Sequence, residues 1–169
     1  IALITKTEEA SELFQKEEVN VYTTVQEVIA DLNDALTSHS ITVQNHIKED
    51  LFIEGNKTLI YAIFRNLMDN SINYAGDHII IVIDNYTNDQ EFCYFSYYDT
   101  GQGVDEMHLH RLFERFYRVC EGRSRQTGGS GLGLSIVKNA VLFHKGEISA
   151  KNRKEGGLEF LFSLRKKLF

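Results

Sequence analysis

Residues Gly128 to Lys138 read GGSGLGLSIVK, and this stretch places a glycine-rich loop directly before a helix. Four of the first six residues are glycine, and apolar residues then recur at helical spacing as far as Lys145. Bare glycine backbone at a helix N-terminus points N–H groups at one spot, with the positive end of the helix dipole behind them. We therefore expect the loop to bind a phosphate, with a structural turn as the alternative.

The glycine spacing does not match the two best-known phosphate loops. A P-loop requires Gly-Lys-Ser/Thr, and the dinucleotide fingerprint requires G-x-G-x-x-G after a strand. Residues 118–127, RVCEGRSRQT, are polar and basic rather than strand-like. The loop alone leaves both interpretations open, so residues elsewhere in the sequence must decide.

Composition indicates one soluble globular domain and no electrostatic attraction to polyanions. The chain has 169 residues, of which 43% are hydrophobic and 25% charged, and this size buries about 70% of the unfolded surface. A net charge of −6 argues against nucleic acid or an anionic membrane as a partner. The chain starts at Ile1, and we expect a segment of a longer protein. Cys93 and Cys120 are expected to be reduced thiols, and no histidine metal site is expected.

The first part of the sequence predicts two helices and three strands after the end of a truncated helix at residues 1–15. Thr23 and Gln26 match a capping box for the first complete helix. Its apolar face consists of Val25, Val28, Ile29, Leu32 and Leu36. The strands are VNVY (19–22), ITVQNHIK (41–48) and LFIEG (51–55), the last two paired with each other, and the second helix runs from Lys57 to Tyr74.

The second part of the sequence predicts four strands, a short helix and a long helix. The strands are HIIIVID (78–84), EFCYFSYYD (91–99), EISAKN (147–152) and LEFLFSLR (158–165), the last two forming a hairpin. A short helix at 105–117 and a mobile loop at 119–130 precede the third long helix, which Gly146 ends. The pattern predicts an α+β fold: a two-layer α/β sandwich whose mixed sheet of five or six strands is covered on one face by three helices.

Three asparagines form a stripe on the second predicted helix. Asn66, Asn70 and Asn73 are spaced four and three residues apart, about a quarter turn from the apolar face. Asparagine is a poor residue for a helix interior, and a solvated face usually carries Glu and Lys instead. An amide oxygen is a ligand for Mg²⁺, which takes its other ligands from water and substrate phosphates. We therefore expect a magnesium site here, with a solvated polar face as the alternative.

The segment YYDTGQGVD (97–105) places a carboxylate at the end of a buried strand. An ionised Asp99 only accepts hydrogen bonds, so it suits the exocyclic amine of adenine and repels the carbonyl of guanine. Gly101 would let a base approach the backbone closely. Taken alone, the motif indicates a base site and a capped turn equally.

Four motifs in order resemble those of a known family. N-x-x-x-N on a helix, D-T-G-Q-G-V after a strand, LFERFYR (112–118) and G-G-S-G-L-G-L-S (128–135) are similar to the N, G1, F and G2 boxes of the ATP-binding catalytic domain of bacterial sensor histidine kinases. The resemblance covers about Val19 to Leu164. It implies the Bergerat ATP-binding fold at residues 16–169, with residues 1–15 as the remnant of the dimerisation and phosphoacceptor helix.

The resemblance also implies a role for residues of each box, with ATP and Mg²⁺ as cofactors. Asn70 would ligate Mg²⁺ with support from Asn66, and Arg118 would approach the terminal phosphate. Residues 105–130 would form a lid over the nucleotide. The remaining nucleotide contacts would come from Tyr74 stacking near the base, from Asp99, Thr100, Gly101 and Gly103 around it, and from Gly129, Gly131, Leu132 and Gly133 on the phosphate side.

Two positions depart from the family pattern. Asn73 stands where the family often has a phosphate-contacting Lys, so Arg118, Arg123 or Arg125 would have to supply that charge. Thr100 stands where Asn is common.

The implied reaction is transfer of the ATP γ-phosphate to a histidine. Related ATPases of this fold place a water-activating Glu where this chain has Asn66, an amide without useful basicity. None of the six histidines lies in an H-E/D-L motif, so the acceptor is expected on an upstream domain absent from this chain. A nucleotide-sensing module and a hydrolytic ATPase are the alternatives. The parent would be a homodimer that is anchored in the inner membrane and serves a response regulator, and this domain would be cytoplasmic and monomeric.

Overall fold

The computed structural model describes residues 15–119 and 131–167. Its strands are β1 (Glu17–Asn20), β2 (Thr42–Asn45), β3 (Phe52–Gly55), β4 (Ile80–Asn88), β5 (Phe92–Asp99), β6 (Ile148–Asn152) and β7 (Leu158–Arg165). Its helices are α1 (Val21–Asp31), α2 (Asn33–Ser38), α3 (Lys57–Tyr74), α4 (Glu106–Leu109) and α5 (Gly133–Phe143). The expected helix remnant upstream, Cys120, Arg123, Arg125, Gly129 and most of the expected mobile loop lie outside the described residues.

Within residues 15–119 and 131–167, the main sheet has five strands in the order β2-β4-β5-β7-β6. β2 runs parallel to β4, and the other neighbours are antiparallel, so the sheet is mixed. The expected hairpin of the last two strands, β6–β7, is present, and the α+β class is confirmed. None of the described helices is both long enough and apolar enough to cross a membrane.

Alternation along β5 decides which of its residues face the helices. Cys93, Phe95, Tyr97 and Asp99 are buried on the covered face, and the intervening residues point to the open face. Asp99 is the last member of the buried series and is 2% exposed. A carboxylate therefore stands on the helix side of the sheet where the strand ends.

Helix α3 lies on this sheet along its apolar stripe. Ile60, Ile63, Phe64 and Leu67 are fully buried, and Phe64 meets Phe95 and Phe162 edge-on at ring-centroid distances of 6.3 and 5.9 Å. Edge-to-face contacts of this kind fix the position of the helix beyond what burial of apolar area requires. The asparagine stripe is thereby held beside the end of β5.

His144 joins the end of α5 to the start of α3. Its imidazole is fully buried: Nδ1 donates to Ala140 O (2.8 Å), and Nε2 accepts from the backbone N–H of Asn56 (3.1 Å). Gly55 leaves room for the ring, since a Cβ there would lie 2.6 Å from Nε2. Burial lowers the pKa of His144 to about 4, so the ring is neutral at pH 7.

The start of the fold differs from expectation. The first helix begins at Val21 rather than after Thr23, and its N-cap is Asn20, whose side chain accepts from Thr23 N (2.9 Å). Asparagine is at least as good an N-cap as threonine, which favours the earlier start. The first strand accordingly ends at Asn20 instead of Tyr22.

The expected pairing of residues 51–55 with residues 41–48 is wrong. β3 pairs antiparallel with β1 in a separate two-stranded sheet, with buried Val19 opposite buried Ile53. β2 instead pairs with β4 at the edge of the main sheet. Periodicity within a strand shows which side chains share a face but does not select the partner strand.

The expected helix at 105–117 is only one turn long, α4, followed by turns. Phe116 adopts φ +66°, which interrupts any helix there. The expected strand at 78–84 begins at Ile80 and continues to Asn88, with a bulge between Asn85 and Thr87.

Candidate functional site

A cleft of about 900 Å³ opens between α3, the end of β5 and the start of α5. Nine of the twelve residues expected at a nucleotide site line this cleft: Asn66, Asn70, Tyr74, Asp99, Gly103, Arg118, Gly131, Leu132 and Gly133. Asn73 lines it as well. The structure therefore brings together residues of all four sequence motifs.

Asp99 lies at the floor of the cleft with its carboxylate held on three sides. Oδ1 accepts from the backbone N–H of Gly101 (3.0 Å) and of Leu158 (3.3 Å), and Oδ2 accepts from the hydroxyl of Ser71 (3.0 Å). A carboxylate offers about four lone-pair positions, so about one position on Oδ2 is left. That remaining acceptor suits a donor that enters from the cleft.

Thr100 and Gly101 are not among the residues that line the cleft. Thr100 is exposed just beyond the end of β5, where its hydroxyl accepts from Ile80 N (2.9 Å) and its N–H donates to Ile80 O (3.0 Å). Gly101 lies against the end of α3, and a Cβ there would meet Ala75 O at 2.4 Å. Packing against α3 accounts for this glycine, and contact of either residue with a base stays a prediction.

Gly157 is a site residue that sequence reasoning missed. It has φ +98°, and a Cβ there would lie 1.9 Å from Asp99 O and 3.1 Å from Asp99 Oδ1. The turn between β6 and β7 thus packs directly on Asp99 and delivers the Leu158 N–H to it. The sequence RKEGG indicated a hairpin turn, but no local signal connected that turn with Asp99.

Asn66 connects α3 with the start of α5. Its Nδ2 donates to Ala62 O (2.7 Å), so Oδ1 is the amide atom that points away from the backbone of α3. A Cβ at Gly133 would lie 3.2 Å from this Oδ1. The N-cap residue of α5, Leu132, makes no side-chain cap, so the first N–H groups of this helix are not capped by its side chain. An amide oxygen and a helix N-terminus therefore meet at one end of the cleft.

The described lining of the cleft carries more negative than positive charge. Asp69, Asp99 and Asp105 line it, against Arg118 and the titratable His108. Asp69 pairs with Arg65 at 3.4 Å, and burial raises the pKa of this carboxyl. A triphosphate would need a cation to enter such a cleft, and the amide oxygens of Asn66 and Asn70 are suitable ligands for Mg²⁺.

The F-box segment is joined to the glycine loop through the backbone. Phe116 N–H donates to Gly131 O (2.7 Å), and a Cβ at Gly131 would lie 2.6 Å from Phe116 Cα. Gly131 has φ +83°, a conformation that glycine adopts without a steric penalty. This contact places Arg118 and the start of α5 at the same end of the cleft.

Apolar and aromatic side chains form the other part of the lining. Sequence reasoning missed Val104, Leu112, Tyr117, Ile136 and Leu158, which lie there with His108. Val104 belonged to the recognised motif D-T-G-Q-G-V, and Leu112 and Tyr117 belonged to LFERFYR. The remaining members come from separate segments that the fold brings together.

Residues 55–168 match the family described as "Histidine kinase-, DNA gyrase B-, and HSP90-like ATPase". The chain belongs to this family. This match confirms the resemblance found in the four motifs, and the chain is an ATP-binding catalytic domain of the histidine kinase type.

Curated relatives and solved structures agree with this assignment. The sensor histidine kinase WalK of Bacillus subtilis (strain 168) is 30% identical over 153 residues, covering 89% of this chain and 25% of WalK. The phosphate regulon sensor protein PhoR of Haemophilus influenzae is 34% identical over 134 residues, covering 79% of this chain and 31% of PhoR. A nucleotide-free catalytic domain of histidine kinase ThkA superposes with TM-score 0.75 at 27% identity, covering 91% of this chain and 97% of that domain. The chain spans about a quarter to a third of the length of these curated relatives.

Proposed function

We propose that this domain binds Mg-ATP and transfers the γ-phosphate to a histidine on another part of its parent protein. The observation that carries the proposal is the buried carboxylate of Asp99, fixed by three hydrogen bonds and offering one acceptor position to the cleft. Adenine places an amine donor at such a position, whereas guanine places a carbonyl oxygen there. Tyr74, at the end of α3, would stack near the base.

The phosphates would lie at the opposite end of the cleft. Gly131, Leu132 and Gly133 offer backbone groups at the start of α5, and Arg118 supplies positive charge there. Asn70, with Asn66 beside it, would hold Mg²⁺, which neutralises phosphate charge when bound. Contacts from Thr100, Gly101 and Gly129 are part of the same proposal.

Asn66 favours transfer over hydrolysis. Its amide has no useful basicity, and its Nδ2 already donates to Ala62 O, so it is not suited to activating water. The domain's contribution to transfer is then positioning and charge stabilisation around the phosphates. Hydrolysis and simple nucleotide sensing are less favoured functions, because the matching relatives are sensor kinases and sensor proteins.

The acceptor histidine and the partners belong to the parent protein. We expect the acceptor on a helical domain upstream, in a homodimeric, membrane-anchored sensor. A solved complex of histidine kinase ThkA with the response regulator TrrA contains a domain of this fold. By analogy, a response regulator would be the next phosphate acceptor.

A transfer assay in trans tests the proposal. The chain is mixed with the separately produced upstream region of its parent and with ATP labelled in the γ-phosphate. We expect label on the upstream region with the stability of phosphohistidine, labile in acid and stable in base.

Two matched variants sharpen this assay. Asp99→Asn should abolish the labelling, whereas Asp50→Asn removes an exposed carboxylate that does not line the cleft and should leave it intact. Release of inorganic phosphate without labelled protein would instead identify a hydrolase. ATP binding without either product would identify a sensor module.

A further inference from the structure

Two fully buried hydroxyl groups lie behind Asp99, outside the cleft. Ser71 of α3 is 1% exposed and Tyr97 of β5 is 0% exposed, and neither lines the cleft. Ser71 Oγ is 3.0 Å from Asp99 Oδ2 and 2.8 Å from the Tyr97 hydroxyl oxygen. The Tyr97 hydroxyl is also 3.0 Å from Leu67 O. These contacts connect α3 and β5 to the carboxylate that the proposed function assigns to the base.

The direction of the hydrogen bonds follows from the chemistry of the three groups. An ionised carboxylate only accepts, so the single proton of Ser71 Oγ donates to Asp99 Oδ2. Burial raises the pKa of Tyr97 well above its ordinary value, so its hydroxyl keeps a proton to donate. The Tyr97 hydroxyl donates to Leu67 O (3.0 Å), whose second lone pair is free to accept it beside the helical N–H of Ser71. Because the Ser71 proton goes to Asp99, the 2.8 Å contact between Ser71 Oγ and the Tyr97 oxygen is made by the same Tyr97 proton, shared between Leu67 O and Ser71 Oγ.

We propose that Ser71, oriented by Tyr97, is a positioning residue that sets the selectivity of the site for an amine-bearing base. By donating to Oδ2 it occupies one of the two lone-pair positions of that oxygen and leaves a single one for the base. It also prevents the carboxylate from turning about the contacts that Gly101 and Leu158 make to Oδ1. This inference rests on the proposed function, because it concerns how Asp99 recognises adenine.

A purely structural role predicts a different pattern of binding. If Ser71 only stabilised the core, its removal would weaken every nucleotide equally. If it positions Asp99, its removal weakens only nucleotides whose base donates to Asp99. The triphosphate of purine riboside lacks the exocyclic amine of adenine and is otherwise the same ligand, so it separates the two cases.

The experiment compares the affinities of ATP and purine riboside triphosphate, both with Mg²⁺, for the full chain and its variants. Ser71→Ala should weaken ATP about five- to tenfold, the size of one typical protein hydrogen bond, and purine riboside triphosphate by less than about twofold. Tyr97→Phe should act in the same direction more weakly. The double variant should be no worse than Ser71→Ala, because both changes act through one hydrogen-bond chain.

Two further variants control for folding and for the type of bond removed. Ser71→Cys fills the same space with a weak donor and should reproduce the loss of ATP selectivity without a cavity. Ser96→Ala removes a serine–carboxylate bond of 2.8 Å, to Glu159, from the opposite face of β5, and should change neither affinity.

The outcomes separate the inference from the proposed function. An unmutated chain that binds neither nucleotide would overturn the proposed function and this inference with it. Normal ATP binding in the unmutated chain, with an unchanged ratio of the two affinities in Ser71→Ala and Ser71→Cys, would overturn the inference alone. The inference is supported if the affinity for ATP relative to that for purine riboside triphosphate falls in both Ser71 variants but not in Ser96→Ala.

Discussion

The turn between β6 and β7 offers a matched pair of substitutions that tests how Asp99 is held. Gly156 and Gly157 are adjacent and have φ of +104° and +98°, so alanine is strained to a similar degree at both positions. Their surroundings differ, however. A Cβ at Gly156 would come no closer than 3.6 Å to Gly101 O, whereas a Cβ at Gly157 would lie 1.9 Å from Asp99 O.

The expected costs follow from these distances. Gly156→Ala should lose about 1–3 kcal/mol of the free energy of unfolding, from backbone strain alone. In Gly157→Ala the turn must also move away from Asp99 by about 1 Å to reach even the shortest distance seen for real Cβ atoms. That shift adds about 1–3 kcal/mol of overpacking and strains the Leu158 N–H bond to Oδ1, worth about 1.5–3 kcal/mol. We expect Gly157→Ala to be at least about 2 kcal/mol less stable than Gly156→Ala.

Urea denaturation followed by circular dichroism gives the two free energies of unfolding, and calorimetry of Mg-ATP gives the functional effect. At a temperature where both variants are folded, Gly157→Ala should bind ATP at least about tenfold more weakly than the unmutated chain, and Gly156→Ala within about twofold of it. Equal stability and equal ATP affinity of the two variants would refute the reasoning. The close approach of Gly157 to Asp99 would then contribute neither to the free energy of unfolding nor to ATP binding.

Three other predictions concern separate parts of the molecule. Because burial lowers the pKa of His144 from 6.5 to about 4, its contribution to stability is fully present above pH 6.5 and is lost as pH falls. Urea titrations give the free energy of unfolding at pH 6.5 and at pH 4. Between these pH values it should fall by about 3 kcal/mol less in His144→Gln than in the unmutated chain. Equal falls in the two proteins would contradict the burial of a neutral ring. Asn73→Lys adds a positive charge to the cleft and should tighten Mg-ATP binding about three- to tenfold at low salt. This gain in affinity should shrink at about 0.5 M salt, because salt screens the added charge. If affinity does not increase, the phosphates do not lie near residue 73. Arg118→Ala should slow phosphoryl transfer at saturating ATP by at least about tenfold while changing ATP affinity much less. An unchanged rate of transfer would show that Arg118 does not act in the transfer step.

Local sequence patterns predicted the elements that bear the site. The long amphipathic stretch of α3 gave its bounds, Lys57 to Tyr74, because 18 residues of consistent periodicity leave little ambiguity. The nearly continuous apolar run EFCYFSYYD placed Asp99 at the end of a buried strand, and the glycine-rich motif placed the start of α5. These are features in which neighbouring residues determine the structure.

Features that depend on distant parts of the chain could not be predicted in this way. The pairing of β3 with β1 instead of β2 is a choice between partners with similar alternation. Leu158 reaches Asp99 across 59 positions in the sequence, and Tyr97 reaches Ser71 across 26. The motifs named Asp99, which we assign to the base, whereas the groups that hold its carboxylate became visible only in the structure.

The most direct test of the account is a calorimetric titration of Mg-ATP and Mg-GTP into the unmutated chain and Asp99→Asn. In this variant Oδ1 can still accept from Gly101 and Leu158, so an NH₂ group takes the place of Oδ2 and opposes the amine of adenine. We expect the unmutated chain to prefer ATP by at least about tenfold. Asp99→Asn should lose at least about thirtyfold in ATP affinity and leave GTP affinity unchanged or improved. Equal affinity of the unmutated chain for both nucleotides, or full retention of ATP binding in Asp99→Asn, would contradict the assignment of Asp99 to the base.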